Sequence, residues 1–152
     1  MKKTSTLFTA MAFLAFTSTT VAQTKEESHA ALTAHHNKVK EHAKAISTGE
    51  SKSKEEHIKR ATEAAKSLEE AKTAHENLKK TIPEKHKLLV KTHHEAIEKH
   101  HADATIHLNA LNEELKKTSY DETKVKEHAK KLHESIDKAE KEHQALKEKT
   151  KK

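Results

Sequence analysis

Residues 86–111 read HKLLVKTHHEAIEKHHADATIHLNAL, and this stretch decides the fold. Histidine recurs in it at every seventh position, and aliphatic residues recur at the same interval between the histidines. The two series are His86, His93, His100 and His107, and Val90, Ile97, Ala104 and Leu111. Seven residues are close to two turns of an α-helix, so both series fall on one stripe of one helix. The steps of three and four predict a seam, meaning a stripe that packs against other helices of a bundle.

Three further segments carry the same periodicity, and breaks in the sequence separate them. The only glycine, Gly49, ends the first segment, and the only proline, Pro83, is placed to open the third helix. A polar stretch at 118–122 precedes the fourth segment, where Ser119 or Asp121 can cap a helix. We therefore predict helices at about 25–47, 51–80, 84–117 and 122–149. Short connections favour antiparallel neighbours, so the predicted fold is all-α, an up-down-up-down four-helix bundle.

The seam of each helix can be written out from these steps. Helix 3 alternates the two series given above. The other seams are Ser28, Leu32, His35, Val39, His42 and Ile46 in helix 1; His57, Ala61, Ala64, Leu68, Ala71, His75, Leu78 and Ile82 in helix 2; and Val125, Ala129, Leu132, Ile136, Ala139, His143 and Leu146 in helix 4.

The first half of the chain resembles the second. At an offset of 65, histidines and alanines of helix 1 coincide with those of helix 3: His29, Ala31, His35, His36, His42 and Ala45 with His94, Ala96, His100, His101, His107 and Ala110. At an offset of 68, Leu68, Ala71, His75 and Leu78 coincide with Ile136, Ala139, His143 and Leu146. The change in offset falls in the loops, where insertions cost little. The bundle is therefore predicted to consist of two similar helical hairpins.

The first residues have the pattern of an export signal. Lys2 and Lys3 form a basic start, an apolar run follows at 7–16, and the small residues at 20–22 offer a cleavage site. We predict a cleaved signal peptide at 1–22 and one histidine-rich domain at 23–152, in the periplasm or secreted. The chain has no cysteine, so it is not a lipoprotein, and neither disulfides nor thiolate metal sites are available.

Composition argues against a nucleic-acid partner. Without Lys2 and Lys3 the net charge is +4, with 28 basic and 24 acidic side chains and neutral histidine. Lysine and glutamate alternate throughout, as on solvated helix faces. Beyond the proposed signal the chain keeps one arginine, Arg60, and one aromatic residue, Tyr120, whereas stacking on bases requires aromatic side chains. The proposed signal is also too short for a membrane span.

The fifteen histidines predict metal binding, because imidazole is the commonest metal ligand among side chains. Each half carries His-His-x5-His on its first helix and a seam histidine on its second. No two histidines stand three or four positions apart, so a site must draw its ligands from different helices. Asp103 could join such a site or orient a ring. The candidate ligands are His35, His36, His42, His75, His93, His94, His100, His101, His107 and His143.

Imidazole ligands without thiolates suit Zn²⁺ or Cu²⁺, with Ni²⁺ as a further option. Several layers of such ligands suit buffering, storage or sequestration better than catalysis. The sequence has neither a cysteine nucleophile nor a glycine-rich phosphate loop, so we expect no enzymatic activity. Divalent metal ions are the expected partners, and the oligomeric state is left open.

A second interpretation uses the same histidines without metal. Burying an unpaired polar ring costs about 1–3 kcal/mol, so the interior rings must be paired, liganded or wet. Protonating them between about pH 7 and 5 would place like charges in successive layers and loosen the bundle. The alternative function is therefore a pH-responsive stress protein or chaperone.

The sequence also carries residues suited to two cofactor sites. The fourth helix, from 124–127 to His143, resembles the last helix of the soluble periplasmic b-type cytochrome four-helix bundles. That resemblance implies haem ligation by His143, with a helix 1 histidine replacing the family's methionine, because the chain beyond the proposed signal has no Met or Phe. A carboxylate di-iron site would use Glu-x-x-His motifs, which occur at 26–29, 98–101 and 140–143. Glu98 and Glu140 lie off the predicted seams, so we do not expect that site.

Overall fold

The computed structural model describes residues 24–151, which fold into four α-helices with no strand among them. The helices are α1 (Lys25–Ser47), α2 (Lys54–Thr81), α3 (Glu84–Lys116) and α4 (Glu122–Lys149). These bounds confirm the four predicted helices. The signal peptide predicted at 1–22 lies outside the described residues. None of the helices in the described part is long and apolar enough to cross a membrane.

The helix ends follow from local side chains. Thr24 caps α1 in a capping box with Glu27, and the predicted Asp121 caps α4. Ser53 accepts a hydrogen bond from the third residue of α2, which is why this helix begins at Lys54 rather than at the predicted 51. Gly49 adopts a φ of 76°, so the chain turns out of α1 through a conformation that only glycine adopts readily.

Neighbouring helices run in opposite directions. His29 near the start of α1 contacts His143 near the end of α4, and Lys40 further along α1 lies 3.7 Å from Asp137, earlier in α4. Pairs between α2 and α3 also run in opposite order, from the contact of Lys54 with Lys117 to that of His75 with His94. Contacts are most extensive within the pairs α1–α2 and α3–α4, as expected for two hairpins, and least extensive between α2 and α3.

The interior contains two aliphatic clusters. The first aliphatic cluster includes Val39, Ala43, Ile46, Ala61, Ala64, Leu68, Ala104, Leu108, Leu111, Leu115, Val125, Ala129, Leu132 and Ile136. The second aliphatic cluster includes Leu32, Ala71, Ala74, Leu78, Ile82, Val90, Ile97 and Leu146. On α1, α3 and α4 one cluster gives way to the other at a buried histidine: His36, His101 and His143.

The predicted seams of α2 and α4 are buried at every position. The predictions for α1 and α3 need correction, because His36 rather than His35, Ala43 rather than His42, His101 rather than His100 and Leu108 rather than His107 are buried. His86 and His93, which are also predicted for the seam of α3, are only half-buried. Between two anchors seven residues apart, a helix can step by three then four or by four then three. The sequence leaves both steps open, and this fold takes the second.

Candidate metal centre

Ring contacts join four of the buried histidines, one from each helix: His36 of α1, His75 of α2, His101 of α3 and His143 of α4. None of the four is more than 3 % exposed. Two further histidines, His29 and His94, contact this set, and we call the six together the imidazole layer. The layer brings ring nitrogens from all four helices together. The sequence predicts such an arrangement, because no helix has two histidines three or four positions apart that could bind one ion by themselves.

Hydrogen bonds join the rings of the imidazole layer in pairs. His29 Nδ1 lies 2.8 Å from His143 Nε2, and His75 Nε2 lies 2.8 Å from His94 Nδ1. Between these pairs, His36 and His101 meet through their Nε2 atoms at 2.7 Å. Edge-to-face ring contacts of His36 with His143 and of His75 with His101 complete the layer.

The hydrogen-bonded pairs reproduce the internal repeat. His36 and His101 are equivalent positions of the two hairpins, 65 residues apart, and they bond to each other. The pair His29–His143 is equivalent to the pair His94–His75, and both pairs have ring centroids 5.0 Å apart. The two hairpins are therefore related by an approximate two-fold axis that passes between His36 and His101.

One set of donor atoms has the spacing of a metal site. Glu140 Oε2 lies 2.8 Å from His36 Nδ1 and 4.0 Å from His143 Nδ1. One ligand atom from each of the three residues lies within 4.8 Å of the other two. Donors around a tetrahedral Zn²⁺ are separated by about 3.3 Å, given bonds of about 2.0 Å, so small side-chain movements would suffice. We call these three residues the interior triad.

The interior triad contains a buried atom with an unmet hydrogen bond. His143 Nδ1 is buried and has no hydrogen-bond partner among the described residues. An unpaired buried nitrogen costs free energy, and a metal ion would satisfy it.

The far side of each ligand ring is already held. If His36 and His143 bind an ion through Nδ1, their Nε2–H groups donate to His101 and His29 respectively. Metal-ligating histidines are commonly fixed in this way through the second ring nitrogen, which sets both tautomer and orientation. His101 and His29 are therefore suited to position the ligands rather than to bind the ion.

The approximate symmetry is broken at the interior triad. The position equivalent to Glu140 in the other hairpin is Lys72, beside the equivalent rings of His101 and His75. Lys72 pairs with Glu69 at 2.7 Å and its positive charge opposes protonation of His101. A cation cannot ligate a cation, so only one of the two equivalent places has a complete donor set.

Burial keeps the interior rings neutral. Burial first, and then neighbouring rings that would share the charge, lower the pKa of His29 to about 4, of His75 to about 3 and of His101 to about 2. Burial also lowers the pKa of His36, although its hydrogen bond to Glu140 favours the protonated ring. Neutral imidazole is the form that binds metal, so these rings need not lose a proton at pH 7.

Glu140 remains ionised inside the bundle. Burial by itself raises the pKa of this carboxyl group, but the side chains of His143, His36 and Gln144 outweigh it and hold the pKa below its usual range. Gln144 donates a hydrogen bond of 2.7 Å to Oε1, which leaves Oε2 facing the two imidazoles. The interior triad therefore combines two imidazoles with one carboxylate anion.

Half of the predicted ligands lie at the flanks of the bundle. His35 lies 3.0 Å from Glu70. His93 lies 2.8 Å from Glu142. The other three predicted ligands at the flanks also contact neighbouring side chains: His42 contacts Arg60, His100 contacts Asp103 and His107 contacts His128. Of the ten predicted ligands, the structure brings together His36, His75, His94, His101 and His143.

Two residues of this region were missed from the sequence. Glu140 lies off the predicted seam, yet only 13 % of its side chain is exposed, because the side chain reaches inward from the edge of α4. The motif Glu140-x-x-His143 was the available signal, since residues three apart share a helix face. His29 was visible only as the counterpart of His94 in the internal repeat.

Comparisons with protein-family models, with curated proteins and with solved structures find no match for this chain. The resemblance of α4 to the b-type cytochromes therefore gains no support from them. Two helix 1 histidines, His29 and His36, contact His143, and the His29 ring bonds to it directly at 2.8 Å. Such a contact leaves no gap for a flat macrocycle between these two rings.

Proposed function

We propose that this protein binds a divalent transition-metal ion, Zn²⁺, Cu²⁺ or Ni²⁺, through His36, Glu140 and His143. The observation that carries the proposal is the interior triad itself, in which a buried His143 Nδ1 without a partner stands beside Glu140 and His36. Imidazole is a borderline ligand that suits these three ions, and two imidazoles with one carboxylate are a donor set that zinc accepts. Zn²⁺ is the first candidate, because it accepts three such protein ligands and a fourth from water.

The proposed role is metal buffering or storage rather than catalysis. His36 and His143 are fully buried and Glu140 is nearly so, which leaves little room for a substrate beside the ion. The predicted export signal would place this function in the periplasm or outside the cell. Buffering requires no partner other than the ion.

The groove between α2 and α3 offers a route for the ion. A cavity of about 480 Å³ in this groove is lined by His75 and His101, and His101 bonds to His36 of the interior triad. An ion entering there would meet imidazole nitrogens before it reached the carboxylate. The weak packing of α2 against α3 supports access from this side.

Metal titration by calorimetry at pH 7.5 tests the proposal, with Zn²⁺, Cu²⁺ and Ni²⁺ added separately to the purified protein. Multi-imidazole sites should bind more tightly than about 100 µM at this pH. Glu140→Gln keeps the shape of the side chain and should abolish the tightest binding. His36→Gln should do the same. His35→Gln changes the neighbouring residue in the sequence, and this variant should bind the ion as tightly as the wild type does.

Three outcomes would contradict the proposal. Failure of all three ions to bind below about 100 µM, together with loss of helicity between pH 7 and 5, would favour the pH-responsive interpretation. A Soret band shift on addition of haemin would favour the haem interpretation. Binding that survives Glu140→Gln unchanged would place the ion elsewhere.

A further inference from the structure

A second group of donor atoms lies on the opposite side of the imidazole layer, where α2 and α3 leave an open groove. One ligand atom from each of His75, Glu76 and Glu98 lies within 4.8 Å of the other two. His75 is 1 % exposed, while the side chains of Glu76 and Glu98 are 55 % and 46 % exposed. The group therefore joins a buried imidazole at the floor of the groove to two carboxylates at its rim.

A cation already stands between the two carboxylates. The Lys79 ammonium lies 3.1 Å from Glu76 Oε1 and 2.6 Å from Glu98 Oε1. Its contact with Glu98, and then that with Glu76, raises the pKa of Lys79. The side chain of Lys79 is 37 % exposed and flexible, so it can swing out to water when another cation takes its place.

The groove gives solvent access to this group. Glu98 lines two adjoining cavities of the groove, one shared with His75 and Glu76 and the other with Lys79 and His94. His94 bonds to His75 at 2.8 Å and so fixes the orientation of the imidazole at the floor. A hydrated ion can approach the carboxylates from either cavity.

We propose that His75, Glu76 and Glu98 form a second divalent-metal site, the groove site, in which Lys79 acts as a tethered competitor for the ion. One imidazole and two carboxylates suit Zn²⁺, but exposure and the competing ammonium make this site weaker than the interior triad. The groove site is independent of the interior triad, since the two share no ligand.

Calorimetric titration of the purified protein with Zn²⁺ separates the two sites. The wild type should show a tight class of sites and a weaker class. The double variant Glu76→Gln/Glu98→Gln should lose the weaker class and keep the tight one. Glu95→Gln is the matched control, because Glu95 lines the same groove on α3 but lies outside the donor group.

Lys79→Met gives the opposite prediction. It keeps the aliphatic stem and removes the competing charge, so affinity at the groove site should rise by about tenfold, the effect of removing a unit charge about 6 Å from a divalent ion in the dielectric of water. Imidazole signals of His75 and His94 in nuclear magnetic resonance spectra should shift with the weaker class, and those of His36 and His143 with the tight class.

The proposal is overturned if the weaker class is absent from both the wild type and Lys79→Met, or if it survives Glu76→Gln/Glu98→Gln. It is also overturned if Lys79→Met leaves the weaker affinity unchanged. Failure of the interior triad would be recognised separately, as a titration that Glu140→Gln does not alter while the groove variants still do.

Discussion

His36 and His101 bond to each other through their Nε2 atoms at 2.7 Å, although they stand 65 positions apart and occupy equivalent places in two similar hairpins. The contact joins the two copies of the repeat at their symmetry axis. It also joins the interior triad on one side of the imidazole layer to the groove between α2 and α3 on the other. Both candidate sites therefore depend on how this pair of rings is held.

The His36–His101 contact predicts that His101 positions a ligand without binding the ion. His101→Leu removes the hydrogen-bond partner of the His36 ring, so affinity at the interior triad should fall by about 10–100-fold, as is typical when an outer-shell partner is lost. His100→Leu is the control, because His100 lies at the flank of α3. Calorimetry with Zn²⁺ gives the affinity, and circular dichroism checks that both variants fold. Equal affinities for the two variants would contradict the positioning role.

The broken symmetry predicts a gain of function. Lys72→Glu would place a carboxylate at the position equivalent to Glu140, beside His101 and His75. A second triad should then form, and Lys72→Glu should restore one tightly bound Zn²⁺ ion to the Glu140→Gln protein. The two triads should fill one at a time, because the single proton between His36 Nε2 and His101 Nε2 leaves only one of these two rings free to bind an ion through Nδ1. Equilibrium dialysis with elemental analysis counts the ions.

The count needs a background in which neither the interior triad nor the groove site contributes, so Lys72→Glu is made together with Glu140→Gln and Glu76→Gln/Glu98→Gln. Lys66→Glu provides the charge-matched control, since Lys66 lies on the exposed face of α2. An unchanged ion count in the Lys72→Glu protein, or an equal rise in the Lys66→Glu protein, would argue against an approximate two-fold arrangement of donors.

Much of the fold could be predicted from the sequence, because periodicity and helix punctuation are local properties. Gly49, Pro83 and Asp121 marked helix ends that the structure confirms. In α2 and α4 the predicted seams offer a single histidine, rather than an adjacent pair, between neighbouring aliphatic residues. Both predicted seams are buried throughout.

The site was harder to predict than the fold, because adjacent histidines compete for one interior position. Between Leu32 and Val39 either His35 or His36 satisfies the periodicity, and only packing against α3 and α4 selects His36. Glu140 posed a different difficulty, since its backbone lies at the edge of α4 while its carboxylate reaches the interior. Neither choice is encoded in the residue pattern of a single helix.

The buried rings predict how stability depends on pH in the presence of a chelator. His29 and His75 have pKa values of about 4 and about 3 in the folded state, below the ordinary value of 6.5. The unfolded chain therefore binds more protons below about pH 6.5, and the free energy of unfolding should fall as the pH decreases from 6.5 towards 4. Each such ring contributes a slope of at most about 1.4 kcal/mol per pH unit.

Urea denaturation at several pH values measures this slope. His75→Leu removes one of the rings and should make the dependence less steep. A midpoint that stays constant between pH 7 and 4.5 would show that the interior rings do not resist protonation.

Metal binding should also stabilise the bundle. An ion that binds only the folded state adds about 2.7 kcal/mol to the free energy of unfolding when its free concentration is 100 times its Kd. Urea denaturation at pH 7.5 with and without a chelator should show this difference in the wild type. In Glu140→Gln the difference should be largely lost. A difference equal to that of the wild type would show that the stabilising ion does not bind at the interior triad.

Anomalous diffraction from crystals grown with one equivalent of Zn²⁺ would locate the ion directly. If the interior triad binds zinc, an anomalous peak should lie about 2.0 Å from His36 Nδ1, Glu140 Oε2 and His143 Nδ1, typical of zinc bound to nitrogen and oxygen. Bound zinc only at flanking histidines such as His35 and His42, with none at the interior triad, would contradict this prediction.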